Sequence, residues 1–484
     1  MATEESTTDG ATRSGPYAGD GGPTRFVPEF GSYHPTALAL AALLALAVLL
    51  ATLPRLGLVT GLEQLATGFY GLFAVQMALV LWWVLSATAV ESPYVGAALD
   101  RLAATMPAGP RSAVAGTALL GLVLGWVNWA LGLVGAVLVG RRLCRRAADA
   151  GTPVHYPAVL VGALLSLVTA TVGLTSPAAL LMADESGTTN FLADSVGVVP
   201  LGAFVLHPAN LVVLGAMLVT LPAGLALVAP TGEGDRDASD DDGRSGVTTV
   251  DEVEPLLGDS IRNVLARTGD EETESPETDV EGDEETVPAD RLERSRLLTA
   301  VVVAVGAVSI GWQWLLGANV SLLGVLFALM MLGMATQVRP LGFVAAASDA
   351  TRWVEHLVVP FLLYGGVYAL LSESELYAPI GDALAATGLP AVASYLAALG
   401  LGLLVPDPGS VWVLLAPAAT TTAAGADALL VSTMYGAGVS NLWVGFIFLG
   451  VLGVRGFGWR RYLTYAAGLT VYLSALVGGA LLLF

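Results

Sequence analysis

The sequence lacks lysine altogether, so all 21 of its basic residues are arginine. Its single cysteine, Cys144, excludes an intrachain disulfide. Charged residues make up only 13% of the chain, yet acidic residues outnumber basic ones by 41 to 21, which gives a net charge of −20. This charge would repel nucleic acid and argues against such a partner. An acidic surplus without lysine indicates a halophilic protein, since high salt screens the self-repulsion.

Motifs for catalysis, metal binding and nucleotide binding are also missing. No spacing of cysteine, histidine and carboxylate residues is typical of a metal site, and no pairing of serine or cysteine with histidine indicates a nucleophile. No glycine-rich loop resembles a P-loop, which argues against ATP as an internal energy source. The sequence therefore predicts a protein that is not an enzyme and needs no cofactor.

What the chain has in abundance is apolar length, since hydrophobic residues make up 55% of it. Uncharged apolar runs of about 20 residues are long enough to cross a bilayer as helices. The sequence thus predicts an all-α polytopic membrane protein. The expected spans are residues 36–56, 68–90, 157–182, 205–229, 297–316, 320–338, 353–371, 429–454 and 462–484.

Two further apolar segments do not fit a single crossing. Residues 112–140 are interrupted at "GWVNWALG", and residues 384–426 are interrupted at "VPDPGS". Arginines flank the first segment on both sides, whereas the second lies between stretches without arginine. Because short cytoplasmic loops collect arginine, each segment is expected to enter and leave the membrane on one side. The sequence predicts two re-entrant helical hairpins, the first with cytoplasmic ends and the second with external ends.

Placing the remaining loop arginines on the cytoplasmic side gives an inverted repeat. The order span, span, hairpin, span, span occurs in residues 36–230 and again, upside down, in residues 320–484, with a linking helix at 297–319. Residues 1–35 and 231–296 are acidic and expected to be disordered; the second segment has 22 acidic residues against 7 arginines. The amino terminus and this loop are then cytoplasmic, in a multi-pass protein of the cell membrane.

The helix interruptions indicate where a ligand would bind. Backbone freed from helical pairing cannot face lipid, so it must line a cavity, and the amino ends of half-helices attract anions. Four polar or glycine-rich interruptions occupy matching places in the two repeats: 126–129, 173–177, 406–410 and 435–441. We expect them to converge near the bilayer midplane and form a substrate pocket.

The candidate site residues in these segments are polar or very small. Asp407 is the candidate for a coupling or gating charge, since an ionisable side chain at membrane depth is functional by default. The candidates for substrate binding are Asn128, Gly132, Thr175, Ser176, Gly409, Ser410, Tyr435, Ser440 and Asn441.

Structural roles compete with each of these assignments. Glycines can serve close helix packing, hydroxyls can bond to their own helix, and asparagines can bond between helices. Asp407 can instead lie wet at an external mouth. Trp82, Trp83, Trp312 and Trp314 are expected to be core residues or interface anchors.

Six stretches, in the same order along the chain, resemble the short-chain fatty acid transporter family. They are "AVQMALVLWWVLSATAVESPYV" (74–95), "GWVNWALGLVGAVLVGRRLCRR" (125–146), "VHYPAVLVGA" (154–163), "VVPFLLYGGVYAL" (358–370), "VPDPGSVW" (405–412) and "YGAGVSNLW" (435–443). The resemblance implies uptake of small monocarboxylates coupled to protons or sodium, an elevator-type movement and a homodimer.

The sequence departs from the family pattern at several pocket positions. Asp407 stands where the family usually has serine, and Ala437 stands where it usually has an acid. The family's histidine is absent from residues 170–177. These changes lead to the hypothesis that Asp407 takes over the coupling charge, and they favour a more apolar or larger ligand.

Two functions follow as hypotheses. The leading one is a secondary active transporter of small organic anions, most simply short-chain fatty acids, that lies in the lipid bilayer and is coupled to H⁺ or Na⁺. The alternative is a transport-inactive relative that acts as a sensor or scaffold through its acidic loop. Residues 253–268 of that loop could form an amphipathic helix.

Overall fold

The computed structural model describes residues 33–152, 154–230, 288–452 and 459–484. Within these ranges every regular element is helical, which agrees with the expected all-α class. Disorder was predicted for residues 1–35 and 231–296. Residues 1–32 and 231–287, with the amphipathic piece at 253–268, lie outside the described residues, whereas 33–35 and 288–293 belong to described helices.

The described helices of the first half end before the acidic loop. They are α1 (Tyr33–Gly71), α2 (Phe73–Val90), α3 (Pro93–Thr105), α4 (Pro110–Val127), α5 (Trp129–Asp149), α6 (Tyr156–Thr171), α7 (Pro177–Met182), α8 (Leu201–Val205) and α9 (Pro208–Val228). Three of them, α3, α7 and α8, are too short to cross a membrane.

The described helices of the second half follow the loop. They are α10 (Pro288–Glu293), α11 (Arg296–Leu315), α12 (Leu322–Gln337), α13 (Pro340–Ala350), α14 (Glu355–Glu373), α15 (Tyr377–Ala386), α16 (Pro390–Gly402), α17 (Pro408–Ala419), α18 (Ala426–Val444), α19 (Phe446–Val451) and α20 (Trp459–Leu483). Among all described helices, six are long and apolar enough to cross a membrane, or up to eight if two bent pairs each count as one span. The chain is a multi-pass membrane protein.

Helix α1 is longer than the expected first span. It continues past residue 56 through a kink at Gly57, whose φ of +71° lies in the left-handed region that favours glycine. The part beyond the kink packs along α14 at a seam of glycines. A Cβ atom on Gly68 would lie 2.7 Å from the Gly365 carbonyl oxygen and 2.8 Å from the Gly366 Cα. The backbones of the two helices are therefore in direct contact here.

The first interrupted segment folds back on itself. Asn128 has an extended backbone between α4 and α5. The two helices lie side by side, because a Cβ on Gly132 would lie only 2.4 Å from the Gly125 Cα. In the second interrupted segment, α16 ends at Gly402 and α17 begins at Pro408, so this interruption is also present.

The expected break in the span after the first hairpin is present, because α6 ends at Thr171 and α7 begins at Pro177. The matching break predicted at 435–441 was wrong. Helix α18 is continuous from Ala426 to Val444, and the chain breaks only at Gly445. This stretch has no proline, and its glycines provide space. A Cβ on Gly436 would lie 2.3 Å from the Tyr395 carbonyl oxygen on α16. A Cβ on Gly438 would lie 2.5 Å from Thr171 Oγ1 on α6.

Polar contacts at the end of α2 join the two halves. The Glu91 carboxylate forms an ion pair with Arg352 and accepts a hydrogen bond of 2.8 Å from Trp353 Nε1. The Gln337 amide on α12 donates to the backbone carbonyls of Thr88 (3.1 Å) and Glu91 (3.2 Å). These bonds satisfy the last carbonyls of α2 and fix its end against the second half.

Candidate functional site

One small cavity, with space for about one water molecule, lies where the helix interruptions meet. It is lined by Trp82, Trp83, Trp129, Leu167, Ala170, Thr171, Pro177, Pro406, Pro408, Asn441 and Phe448. The first hairpin tip contributes Trp129, the start of α7 contributes Pro177, the second tip contributes Pro406 and Pro408, and α18 contributes Asn441. The structure therefore brings all four predicted segments to one place.

Asp407 lies at the second tip and is completely buried. Its Oδ2 accepts hydrogen bonds from the backbone N–H (2.6 Å) and hydroxyl (2.8 Å) of Ser410, so it caps the amino end of α17. Its Oδ1 accepts from Trp83 Nε1 on α2 at 3.2 Å. A buried carboxylate is costly unless such donors surround it. The arrangement is incompatible with a wet carboxylate at an external mouth.

Asn128 lies at the first tip and has a parallel role. Its Oδ1 accepts from the backbone N–H groups of Ala130 (2.9 Å) and Leu131 (3.3 Å) and so caps α5. Its Nδ2 donates to Ser86 Oγ on α2 at 3.0 Å. Asn128 thus holds the tip in place, next to the cavity-lining Trp129.

The break between α6 and α7 packs directly on the first tip. The Leu174 N–H donates to the Trp126 carbonyl (2.8 Å), and Thr175 Oγ1 donates to the Val127 carbonyl (3.0 Å). These bonds use two of the carbonyls left unpaired at the end of α4. Ser176 is fully buried, and its hydroxyl has no hydrogen-bond partner among the described residues.

The other predicted substrate-binding residues mainly serve packing. Gly132 allows the close approach of α4 and α5, and Gly409 lies against Leu79. The Ser440 hydroxyl donates to the Ala437 carbonyl (2.7 Å) of its own helix. The fourth is Tyr435, whose hydroxyl donates to Asn210, a residue that does not line the cavity.

Asn210 on α9 accepts that bond from the Tyr435 hydroxyl at its Oδ1 (2.7 Å). The Asn210 amide in turn donates to the carbonyls of Val172 (3.1 Å) and Val205 (3.1 Å). This buried network joins α18 to α9 and to the end of α6. Of the predicted binding residues, Asn441 alone is among the residues that line the cavity.

Sequence reasoning missed an aromatic cluster that forms one wall of the cavity. The ring centroids of Trp83 and Trp129 are 4.1 Å apart, those of Trp83 and Phe448 are 5.3 Å apart, and those of Trp129 and Trp353 are 5.1 Å apart. The adjacent tryptophans at 82 and 83 were expected to be core or anchors, and they are buried. No local signal connects Trp353 or Phe448 with them.

The aromatic cluster lies between the buried carboxylate of Asp407 and the partly buried carboxylate of Glu91. At one side Trp83 donates to Asp407, and at the other Trp353 donates to Glu91. Between them Trp129 packs against both tryptophan rings.

Beside the cavity, the buried Asp407 contributes a carboxylate, and the amino ends of two helices contribute partial positive charge. None of the residues that line the cavity is arginine or histidine. The first residues of α5 (Trp129) and α17 (Pro408) line it, so the positive ends of two helix dipoles are directed to it. In the part of the chain that the structure describes, no group of histidine, cysteine and carboxylate residues could hold a metal ion.

A sequence model of the family described as "Short chain fatty acid transporter" matches residues 24–484, nearly the whole chain. The chain belongs to the short-chain fatty acid transporter family. It is a transporter and not an enzyme, and the family gives no support to the sensor or scaffold alternative.

Two curated relatives carry the same family name. One, from Escherichia coli K12, is 24% identical over 409 residues, which cover 82% of this chain and 84% of the relative. The other, from Haemophilus influenzae, is 22% identical over 422 residues, which cover 84% of this chain and 86% of the relative. This short-chain fatty acid transporter family member is therefore divergent from both.

Two solved structures can be superposed on most of this chain. The YdaH transporter of Alcanivorax borkumensis has a TM-score of 0.48 and 14% identity, over 92% of this chain and 98% of that chain. MtrF of Neisseria gonorrhoeae has a TM-score of 0.43 and 11% identity, over 91% and 94% of the two chains. Both scores lie below 0.5, so no conclusion rests on them.

Proposed function

We propose that this family member is a secondary active transporter of small organic anions, with short-chain monocarboxylates as its substrates. The observation that carries the proposal is the convergence of both hairpin tips, the α6–α7 break and α18 on one buried, mainly apolar cavity. Irregular backbone at membrane depth marks the binding sites of secondary transporters.

The substrate carboxylate is bound by neutral donors. The indole N–H groups of Trp82 and Trp129 are buried beside the cavity and have no acceptor among the described residues; the same holds for the Ser176 hydroxyl at the start of α7. A buried donor without an acceptor costs about 1–3 kcal/mol. A carboxylate would remove this cost, and Leu167, Ala170 and Phe448 would contact a short alkyl chain.

Binding requires the tips to separate from α2, because the cavity holds only about one water molecule as described. We assign the movement to an elevator-type inverted repeat with two re-entrant hairpins, present in each subunit of a homodimer. The proposed topology has the amino terminus and residues 231–296 in the cytoplasm. Contacts of Arg55 with the Ser374 carbonyl (2.7 Å) and of Asn319 with Glu185 (2.6 Å) agree with the relative placement of these loops, since each contact joins two residues that this topology puts on the same side.

Asp407 supplies the coupling. A substrate carboxylate that enters beside an ionised Asp407 would put two like charges in a buried site, which is strongly unfavourable. A proton taken up with the substrate removes the repulsion. Transport is then proton symport, with the proton on Asp407 while the substrate is bound.

The test is uptake of labelled acetate, butyrate and acetoacetate into proteoliposomes in molar salt, under an inward proton or sodium gradient. We expect uptake that a proton gradient drives and that Asp407→Asn loses, while Asp184→Asn, which changes a carboxylate in a loop, retains it. Uptake that only sodium drives would contradict proton symport. No uptake of any of the three acids by folded protein would contradict the substrate class.

A further inference from the structure

A second and larger cavity, which we call the α9–α20 groove, shares no lining residue with the site at Asp407. It has a volume of about 500 Å³ and lies between α9 and α20. Most of its wall is apolar, with Leu221, Leu225, Val228 and Leu469 among the lining residues. It is therefore suited to a hydrocarbon chain rather than to a small polar solute.

The groove lies between two helices that face lipid. Both α9 and α20 are long and apolar enough to cross the membrane. Only 33% of the residues in the apolar stretch of α9, and 28% of those in α20, are buried inside the protein. Val219 and Val471, next to the lining residues Thr220 and Tyr472, are 73% and 72% exposed. The molecules around such surfaces in a membrane are lipids.

The groove has a polar end and a deep end. At the polar end, His155 Nδ1 and the Tyr465 hydroxyl are 3.4 Å apart, and Arg460 is exposed one turn before the lining residue Thr464. At the deep end, the hydroxyls of Thr220 and Tyr472 are bonded to each other at 2.6 Å. Cationic and donor groups are thus concentrated at one end, where a headgroup would lie.

The length of the groove matches one leaflet. From residue 220 to residue 228, α9 rises by about 12 Å, at about 1.5 Å per residue. Half of the hydrocarbon core is about 15 Å deep. We propose that the α9–α20 groove binds one acyl chain of an anionic phospholipid, whose phosphate lies beside Arg460, His155 and Tyr465.

Occupation of the groove would support the wall of the transport site. Helix α20 is bonded to α18 through Trp443 Nε1, which donates to Thr470 Oγ1 (2.8 Å), and α18 carries Asn441 of the small cavity. A lipid between α9 and α20 therefore stabilises the helix on which α18 rests. This inference concerns lipid binding and does not depend on the identity of the transported anion.

Two glycines allow the groove to be filled without a clash. Gly224 and Gly468 line it, and a Cβ on either would meet nothing within 4 Å. Gly468→Leu thus places a side chain where the acyl chain would lie. Gly479→Leu is the matched control, since Gly479 is on the same helix, is equally open and does not line the groove.

The experiment is native mass spectrometry of the delipidated full chain in detergent, with added phosphatidylglycerol or phosphatidylcholine. We expect one tightly bound phosphatidylglycerol on wild type and on Gly479→Leu, and at least fivefold weaker binding on Gly468→Leu. Arg460→Gln should lose the preference for phosphatidylglycerol. Unchanged binding by Gly468→Leu would overturn the proposal, and equal binding of the two lipids by wild type would overturn the headgroup assignment. A changed monomer–dimer ratio without a changed lipid count would show a subunit contact instead.

Discussion

The two hairpin tips have the same construction and differ in one atom type. Asn128 and Asp407 each cap the second helix of a hairpin, and each is bonded to α2, at Ser86 and at Trp83. The two anchor residues on α2 are three positions apart, so they lie on one face of that helix. Capping and anchoring therefore need only a side-chain oxygen and a polar partner.

The difference is that only one of the tips can titrate. An amide satisfies Ser86 by donating to it, whereas the carboxylate accepts from Trp83 and can be neutralised by a proton. Both tips therefore cap a helix and bond to α2, and the proposed coupling role needs a group that only Asp407 has. Variants at the two tips can separate the shared role from the coupling role.

The largest expected effect comes from making the second tip like the first. Asp407→Asn keeps an oxygen for the Ser410 N–H, so the protein should fold, but it cannot take up a proton. We expect proton-driven uptake to fall by on the order of tenfold or more, because an amide cannot carry the proton that would remove the repulsion of the substrate. Exchange of labelled for unlabelled butyrate without a gradient should persist. Full proton-driven uptake would make the two tips equivalent and remove the coupling role.

The next effect concerns the first tip. Asn128→Ala removes the cap of α5 together with the bond to Ser86, so we expect a loss of about 1–2 kcal/mol in the free energy of unfolding. The control Ser86→Ala removes only the bond to α2 and should cost about 0.5–1.5 kcal/mol. Chemical denaturation in detergent measures both. A loss in Ser86→Ala equal to that in Asn128→Ala would show that the cap itself contributes nothing.

A smaller effect tests the anchor of the second tip. Trp83→Phe keeps an aromatic ring in the cluster but removes the N–H that stabilises the ionised carboxylate. Without this donor, protonation occurs more readily, so the pH profile of butyrate uptake should shift to higher pH. Trp314→Phe, at a tryptophan that is 63% exposed and does not line the cavity, is the control. A shift of equal size in the control would contradict a specific role for the Trp83 N–H.

The smallest effect contrasts Asp407 with a carboxylate that only stabilises a loop. Burial alone would raise the pKa of Asp184, but hydrogen bonds from the side chains and backbone of Ser186 and Thr189 outweigh it and hold the pKa below its usual value. The ionised form is thus favoured by folding. Its contribution is complete above the unfolded pKa of about 3.9 and is lost as pH falls through the lower folded value.

Asp184→Asn should therefore lower the melting temperature at pH 7, and the difference from wild type should shrink as pH falls through 3.9 to about 3. Proton-driven uptake should stay normal at pH 7. A difference in melting temperature that is the same at both pH values would contradict the pKa assignment for Asp184.

Sequence reasoning predicted the elements that depend on local signals. The tips at Asn128 and Asp407 were placed correctly because asparagine, aspartate and proline interrupt helices for local reasons. Glycine is ambiguous, since it occurs both at helix breaks and where helices pack closely. The prediction for 435–441 was a helix break, whereas the glycines there allow close helix packing. Short helices such as α3 and α15 gave no transmembrane signal.

The cavity wall was less predictable than its position. The convergence of the four segments followed from the repeat pattern, whereas the cluster of Trp83, Trp129, Trp353 and Phe448 depends on tertiary packing between distant segments. Several predicted binding residues, including Tyr435, instead bond to neighbouring helices. Hydropathy and spacing report where a polar group lies along the chain, but not which of its neighbours accepts the bond.

The glycine seam between α1 and α14 has a mechanical consequence. Gly68, Gly365 and Gly366 bring two backbones so close that even a methyl group would collide. If either helix slid by one residue, a side chain would occupy a place where only a hydrogen atom fits. The two helices are therefore expected to move together as one rigid unit. If transport requires a conformational change, the change must then occur at contacts other than the one between α1 and α14.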